Sequence, residues 1–183
     1  MRGLLFTEFM DFLEQRFDDV TVDKALEEAN PASRGAYTTV DNYPAAELYR
    51  ILACVASAQL VDADTLLVEY GRHLFKVFLR DHAAYFATID GTITLMERVQ
   101  DHIHVEVKKL HPDAKPPRFE VTGDQDTGWT VHYYSHRPLH AVAHGLMQAA
   151  RTHFSEDIDI VRDVADGAQD LQAVFRLLEY RPG

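Results

Sequence analysis

Two consecutive prolines, Pro116 and Pro117, constrain this chain more than any other feature, because neither ring carries a backbone N–H and no helix can run through them. They separate a stretch of helical periodicity from one of strand alternation. Before them, Leu5, Phe9, Phe12 and Phe17 recur near helical spacing between Leu4 and Phe17, with acidic residues in between, which predicts an amphipathic helix. A shorter helix is expected from Val22 to Ala29, stopped at Pro31. Tyr43-Pro44 opens a third, from about Ala45 to Leu60, with Leu48, Ile51, Val55 and Ala58 as its stripe. Asp62 or Asp64 caps a fourth, which runs through Leu66, Leu67, Tyr70, Leu74, Phe75 and Phe78. Gly91-Thr92 starts a fifth through Leu95, Met96, Val99, Ile103, Val107 and Leu110. After the prolines, Arg118 to Val121 and Thr130 to Ser135 alternate like the strands of a hairpin around Gly123-Asp124-Gln125-Asp126. Leu139 to Phe154 returns to helical spacing, and Asp157 to Val164 and Leu171 to Tyr180 read as two more strands joined by an Asp-Gly turn. Helices first, then an antiparallel sheet with one inserted helix, is an α+β layout.

Composition narrows the function classes. With 183 residues and 46% hydrophobic content, the chain can bury one core and a ligand pocket but is short for two independent domains. A formal charge of −11 repels phosphate backbones and anionic membrane surfaces, which argues against nucleic acid and membrane partners. Cys54 is the only cysteine, so no internal disulfide and no all-cysteine metal cage can form, as suits a reducing cytoplasm. The N-terminal apolar run is interrupted by Glu8 and Asp11 well short of membrane-spanning length. A cytoplasmic protein is expected.

Ten histidines invite a metal hypothesis. His102, His104 and His111 lie on or just after the fifth helix, and periodicity does not choose between His102 and His104, both at the edge of its apolar stripe. His140 and His144 stand i,i+4 on one helix, the spacing of some zinc sites, but lack the glutamate that follows the first histidine in such enzymes. More informative is Tyr133-Tyr134-Ser135-His136-Arg137, because in an extended chain Tyr133, Ser135 and Arg137 project to one face. A phenol, a hydroxyl and a guanidinium together suit a carboxylate-bearing dianion, although a solvated strand face reads the same way.

Tyr133, Ser135 and Arg137 match the Y-x-S-x-R motif by which H-NOX (haem nitric oxide/oxygen binding) domains hold the haem propionates. Met1-Arg2-Gly3-Leu4 resembles the start of that family, and His104 followed by Pro116-Pro117-Arg118 is similar to its proximal-histidine segment. That spacing selects His104. The resemblance spans the chain and implies the H-NOX fold over residues 1–183, with a helical lobe to about residue 62 and a haem-ligating, sheet-bearing lobe from about residue 63. It implies haem b with His104 as iron ligand, Tyr133, Ser135 and Arg137 on the propionates, and Pro117 pressed against the porphyrin. Gly71 and Gly145, inside predicted helices, match hinges of relatives, or else merely let neighbouring elements approach. The position of the distal tyrosine of oxygen-binding relatives is Val142, and Leu74 and Phe9 stand where such relatives carry assisting polar groups. Leu5, Phe78 and Leu146 complete an apolar lining.

Bound oxygen needs a hydrogen-bond donor to be retained, and nitric oxide does not. The expected function is therefore a bacterial sensor of nitric oxide, binding NO and CO but not O2 stably, and not an enzyme. The family implies that NO weakens the iron–His104 bond and shifts one lobe against the other, a two-state change read by a histidine kinase or a cyclic-di-GMP enzyme. The stretch from Asp157 to Leu171 lacks the cysteine-rich zinc site of some relatives. The alternatives are a haem-free interaction domain of the same fold and a histidine-based zinc protein. Whether His144, Tyr134 or Tyr49 reaches the distal pocket is left open.

Overall fold

The computed structural model describes residues 1–110, 112–124, 127–165 and 170–179. Its elements are α1 (Gly3–Arg16), α2 (Asp19–Ala29), α3 (Ala45–Gln59), α4 (Ala63–Asp81), α5 (Ala83–Phe86), α6 (Thr92–Arg98), a π-helical turn (Val99–Ile103), α7 (His104–Leu110), β1 (Arg118–Asp124), β2 (Gly128–Tyr134), α8 (His140–His153), β3 (Ile158–Val164) and β4 (Leu171–Glu179). The chain divides into two compact units, Met1–Tyr70 and Gly71–Gly183. The division lies inside α4, whereas the sequence suggested the loop before that helix. The turn expected at 123–126 falls partly outside the described residues, and so, entirely, do His111, Tyr180 and the Asp166-Gly167 turn.

In the first unit the aromatic face of α1 makes the core. Phe6, Phe9 and Leu13 are fully buried, with Leu48, Ile51 and Val55 of α3 supplying the opposing stripe. Phe6 stacks on Tyr37 at 4.6 Å, and the Tyr70 hydroxyl donates to the Leu5 carbonyl at 2.6 Å. Asp18 caps α2 by accepting from the Thr21 amide at 2.7 Å, an interaction that holds its carboxyl below the usual range. Asp62, not Asp64, performs the same service for α4, through the Thr65 amide at 2.9 Å. The segment between α2 and α3 is tied down by a side chain that periodicity does not single out. Glu47 is buried on α3 and accepts from the Ser33 hydroxyl at 2.6 Å and the Tyr37 hydroxyl at 3.0 Å. Burial, with the adjacent Glu47 carboxylate, pushes the Tyr37 phenol up to about 12.

The second unit is a four-stranded antiparallel sheet in the order β1-β2-β4-β3. Alternation places Val131, Tyr133, Ala173, Phe175 and Leu177 in its core, where Ala143, Met147 and Ala150 of α8 also lie. The α+β layout with one helix between two hairpin halves is therefore as the sequence implied. The helices α4 and α8 approach closely at Gly71, where an added Cβ would overlap the Val142 carbonyl and stand 3.0 Å from the Cα of Gly145. Close packing is thus a sufficient reason for Gly71. The four-residue α5 is too short to show a period and was not legible.

The fifth predicted helix exists, but in three parts, because the π-helical turn inserts between α6 and α7. Its start is fixed from outside. Gly91 has no side chain to cap with, and Glu156, just after α8, takes over, accepting from the buried Thr92 amide at 3.0 Å and from its hydroxyl. Replacing that carboxylate strands a buried amide and a buried hydroxyl together. Glu156→Ala is expected to lower stability by about 1–3 kcal/mol, and Glu156→Gln by less, measured by urea denaturation.

Candidate functional site

His104 opens α7 directly after the π-helical turn. Such turns add a residue to the helical repeat and re-aim the next side chains, and they gather at functional positions. Here the turn is locked by Gln100, whose side-chain oxygen accepts from the Phe119 amide at 2.9 Å. Phe119 belongs to β1, an edge strand of the sheet, and its buried ring lies nearly parallel to the His104 imidazole at 5.8 Å. Against this apolar wall, Nδ1 of His104 is shielded from solvent and has no hydrogen-bond partner. Burial, reinforced by Lys108, pushes the imidazole down to about 4, while contact with the Pro117 backbone carbonyl opposes the shift. The ring is neutral at physiological pH, with an unpartnered nitrogen, which is the state a metal-ligating imidazole requires. His102 is exposed. Packing thus separates two histidines that periodicity left equivalent.

Tyr133, Ser135 and Arg137 lie on β2 and the turn that follows it, next to the strand that packs on this histidine. Tyr133 pairs with Phe119 across the β1–β2 ladder, their rings 5.5 Å apart, so an aromatic row runs from His104 through Phe119 to Tyr133. Tyr133 and Ser135 are both buried, as alternation demands. Arg137 corrects the extended-chain reading, because β2 ends at Tyr134 and the chain turns. The Ser135 amide donates to the Asp170 carbonyl at 2.8 Å, and the Ser135 hydroxyl accepts from the Arg137 amide at 3.0 Å. That turn lets the Arg137 guanidinium donate to the Lys115 carbonyl at 3.2 Å, next to Pro116 and Pro117. Its charge faces a carbonyl and no carboxylate among the described residues, leaving it able to take an acidic ligand group. Pro117, His104, Ser135 and Arg137 therefore belong to one neighbourhood, joined by backbone contacts.

The residues expected to line the pocket are buried or half-buried, each within its own unit. Leu74 on α4 and Val142 on α8 are buried, and Phe78 and Leu146 are half-buried against the core of the second unit. In the first unit Leu5 is half-buried, and Phe9 is sealed between Phe12 and Tyr70. The open question about polar rings has a partial answer. His144 points to β3, with Nε2 at 3.1 Å from the Ile160 carbonyl and 3.0 Å from the Gln148 amide nitrogen. Tyr134 lies under the Arg118 guanidinium at 3.7 Å and donates to Glu120 at 3.2 Å, and Tyr49 belongs to α3 of the first unit. Nε2 of His144 is thus held by protein groups, and no group of three or more His, Cys, Asp or Glu gathers among the described residues. Cys54 is half-buried, and its thiol is pushed up by burial, with Glu28 adding, so it is a poor nucleophile.

Comparison with known proteins agrees with this geometry. A family model described as Haem-NO-binding matches residues 2–162. The Fe(II) unliganded H-NOX protein from K. algicida superimposes with a TM-score of 0.88 at 30% identity, over 100% of this chain and 98% of that one. The S. oneidensis H-NOX protein in its Fe(II)NO state gives 0.83 at 25% identity, over 98% and 100%. An H-NOX from Shewanella woodyi in its Fe(II)CO state, bound to IWP-051, gives 0.80 at 29% identity, over 98% and 95%. A comparison with curated protein sequences returned no match. This chain belongs to the haem-NO-binding family, the H-NOX domains, which are haem-based gas sensors. Among the described residues no single helix is long and apolar enough to cross a membrane.

Gln100 and Phe119 were not singled out from the sequence. The only signal was position, a glutamine one turn before His104 and a phenylalanine two residues past Pro117. Gln100→Leu removes the acceptor of the Phe119 amide. It is expected to cost about 1–2 kcal/mol and to speed hydrogen exchange at that amide while the rest of β1 exchanges as before, read by NMR.

Proposed function

We propose that this protein is a sensor of nitric oxide that holds haem b through His104. The observation that carries the reading is the neutral, shielded His104 ring with an unpartnered nitrogen beside Pro117. Arg137, with Ser135 and Tyr133, would hold the two propionate carboxylates, and Pro117 would bear on the porphyrin. When bound, the haem supplies an open coordination position for a diatomic gas and a bond to the histidine that a strong donor such as NO weakens.

The remaining steps belong to the chain. Val142, Leu74, Phe78 and Leu146 offer no hydrogen-bond donor, nor do the side chains of Leu5 and Phe9. This favours NO and CO, because oxygen depends on such a donor for retention. Within the chain the His104 ring lies on Phe119 and contacts the Pro117 carbonyl. Besides core packing, two side-chain bonds hold the helical segment that leads into His104, Glu156 to Thr92 and Gln100 to Phe119. A change of hold on His104 therefore reaches β1 through Phe119. The chain is read as non-enzymatic and cytoplasmic, passing its signal to a histidine kinase or a cyclic-di-GMP enzyme.

The purified protein should be red. After reduction it should give stable NO and CO spectra and, in air, no lasting oxygenated form; a persistent oxygenated spectrum refutes the selectivity. His104→Ala should lose the histidine-bound spectrum and regain a five-coordinate form with added imidazole. If the variant keeps the wild-type spectrum without imidazole, the iron is held elsewhere. In the haem-free protein, NMR titration of the His104 ring should show it taking up a proton only as pH falls toward about 4, and a midpoint near 6.5 would mean an unshielded imidazole.

A further inference from the structure

Away from His104, the second unit carries an open groove of about 790 Å³ between α4, α8 and β3. Its floor is apolar, from Phe75, Leu79 and Ile160. Its rim is basic. The Arg72 guanidinium is oriented by one neutral group, donating through Nε at 3.1 Å and through Nη2 at 2.6 Å to the Gln148 side-chain oxygen. Lys76, one turn further along α4, is exposed and has no acidic partner among the described residues. Arg151 meets Asp159, the one carboxylate in the lining, at a loose 3.4 Å with both groups exposed, a pairing worth little.

Two uncompensated cations flanking an apolar floor are unusual on a chain of formal charge −11. Neither charge is neutralised among the described residues, since Gln148 carries no charge to set against Arg72 and Lys76 touches no acid there. β3 is moreover an edge strand of the sheet, so one wall of the groove is a strand with no neighbour on its far side. We infer that this groove docks an extended acidic segment of a partner protein, its carboxylates on Arg72 and Lys76 and an apolar side chain on Phe75 and Leu79. The inference rests on the reading that output passes through another protein, and it names the chemistry of that contact. Charge also sets the pose. An acidic segment is repelled by the bulk of this surface and attracted at the basic rim, so electrostatics favour the groove even where the contact area is small.

The test uses the haem-loaded full chain and a short fluorescein-labelled peptide of alternating glutamate and leucine, followed by anisotropy. Binding is expected, weakened about tenfold or more in the double variant Arg72→Glu/Lys76→Glu, and weakened again as salt is raised to about 0.5 M. Leu79→Asp, which leaves both cations in place, should weaken it as well. The same peptide with glutamine in place of glutamate should bind about tenfold or more weakly. Equal binding of both peptides, or wild-type affinity in the double variant, overturns the inference. So does sedimentation showing that the wild type self-associates and the double variant does not, which would make the groove an interface between copies. The Soret band of the same samples reports on the haem reading separately. Red protein that ignores the peptide sinks the docking inference alone, and colourless protein that binds it sinks only the haem reading.

Discussion

The contact on which the site depends is the packing of one imidazole against one phenyl ring. Phe119 takes His104 out of water, and the loss of solvation, more than any neighbouring charge, keeps the ring neutral. A surface histidine of ordinary basicity would be partly protonated near neutral pH and would compete poorly for a metal. Everything around the pair serves to hold it. The π-helical turn brings His104 to the sheet, Gln100 ties that turn to the amide of the same Phe119, and Glu156 anchors the start of the helix. The tie at Phe119 also spares an edge strand one open amide, so the same bond serves the sheet and the site.

The second feature is a cation left without an acidic counter-charge among the described residues. Arg137 is positioned by a turn in which Ser135 closes on its backbone amide, and the guanidinium rests on the Lys115 carbonyl. A carboxylate in that place would have neutralised it. The neutral contact leaves the charge available while fixing where it points, and it joins the proline segment to the end of β2. The basic rim at Arg72 and Lys76 is built the same way, with a side-chain amide oxygen orienting a charge that it does not cancel.

Much of this was legible in the residues. Periodicity located α1 to α4 and α8 to within a residue or two of their ends, except at the start of α2, where Asp18 and Asp19 precede the first apolar residue of the pattern, and at the end of α4, where the pattern stops at Phe78 and the helix runs on to Asp81. Alternation found all four strands. The Y-x-S-x-R spacing and the His104 to Pro117 interval pointed to the family. What escaped was short or irregular. The four-residue α5 has no period to show, the π-helical turn leaves the apolar spacing of its helix almost undisturbed, and Arg137 was placed on the strand face because nothing in the residue types reveals that β2 stops at Tyr134. Glu47 was missed for another reason. A glutamate on a helix is ordinarily exposed, and only the return of Ser33 and Tyr37 over it shows that it is buried and bonded.

By itself the sequence determined the order of helices and strands, the helix break at Pro116 and Pro117, and the inventory of side chains able to hold a haem. These come from backbone sterics and local periodicity, which act between residues near one another in the chain. Tertiary structure decided which histidine is shielded, where the partner of the Phe119 amide comes from, and that Gly71 and Gly145 lie at a helix contact. Solvent exclusion and close packing depend on residues distant in sequence, and no local pattern encodes them.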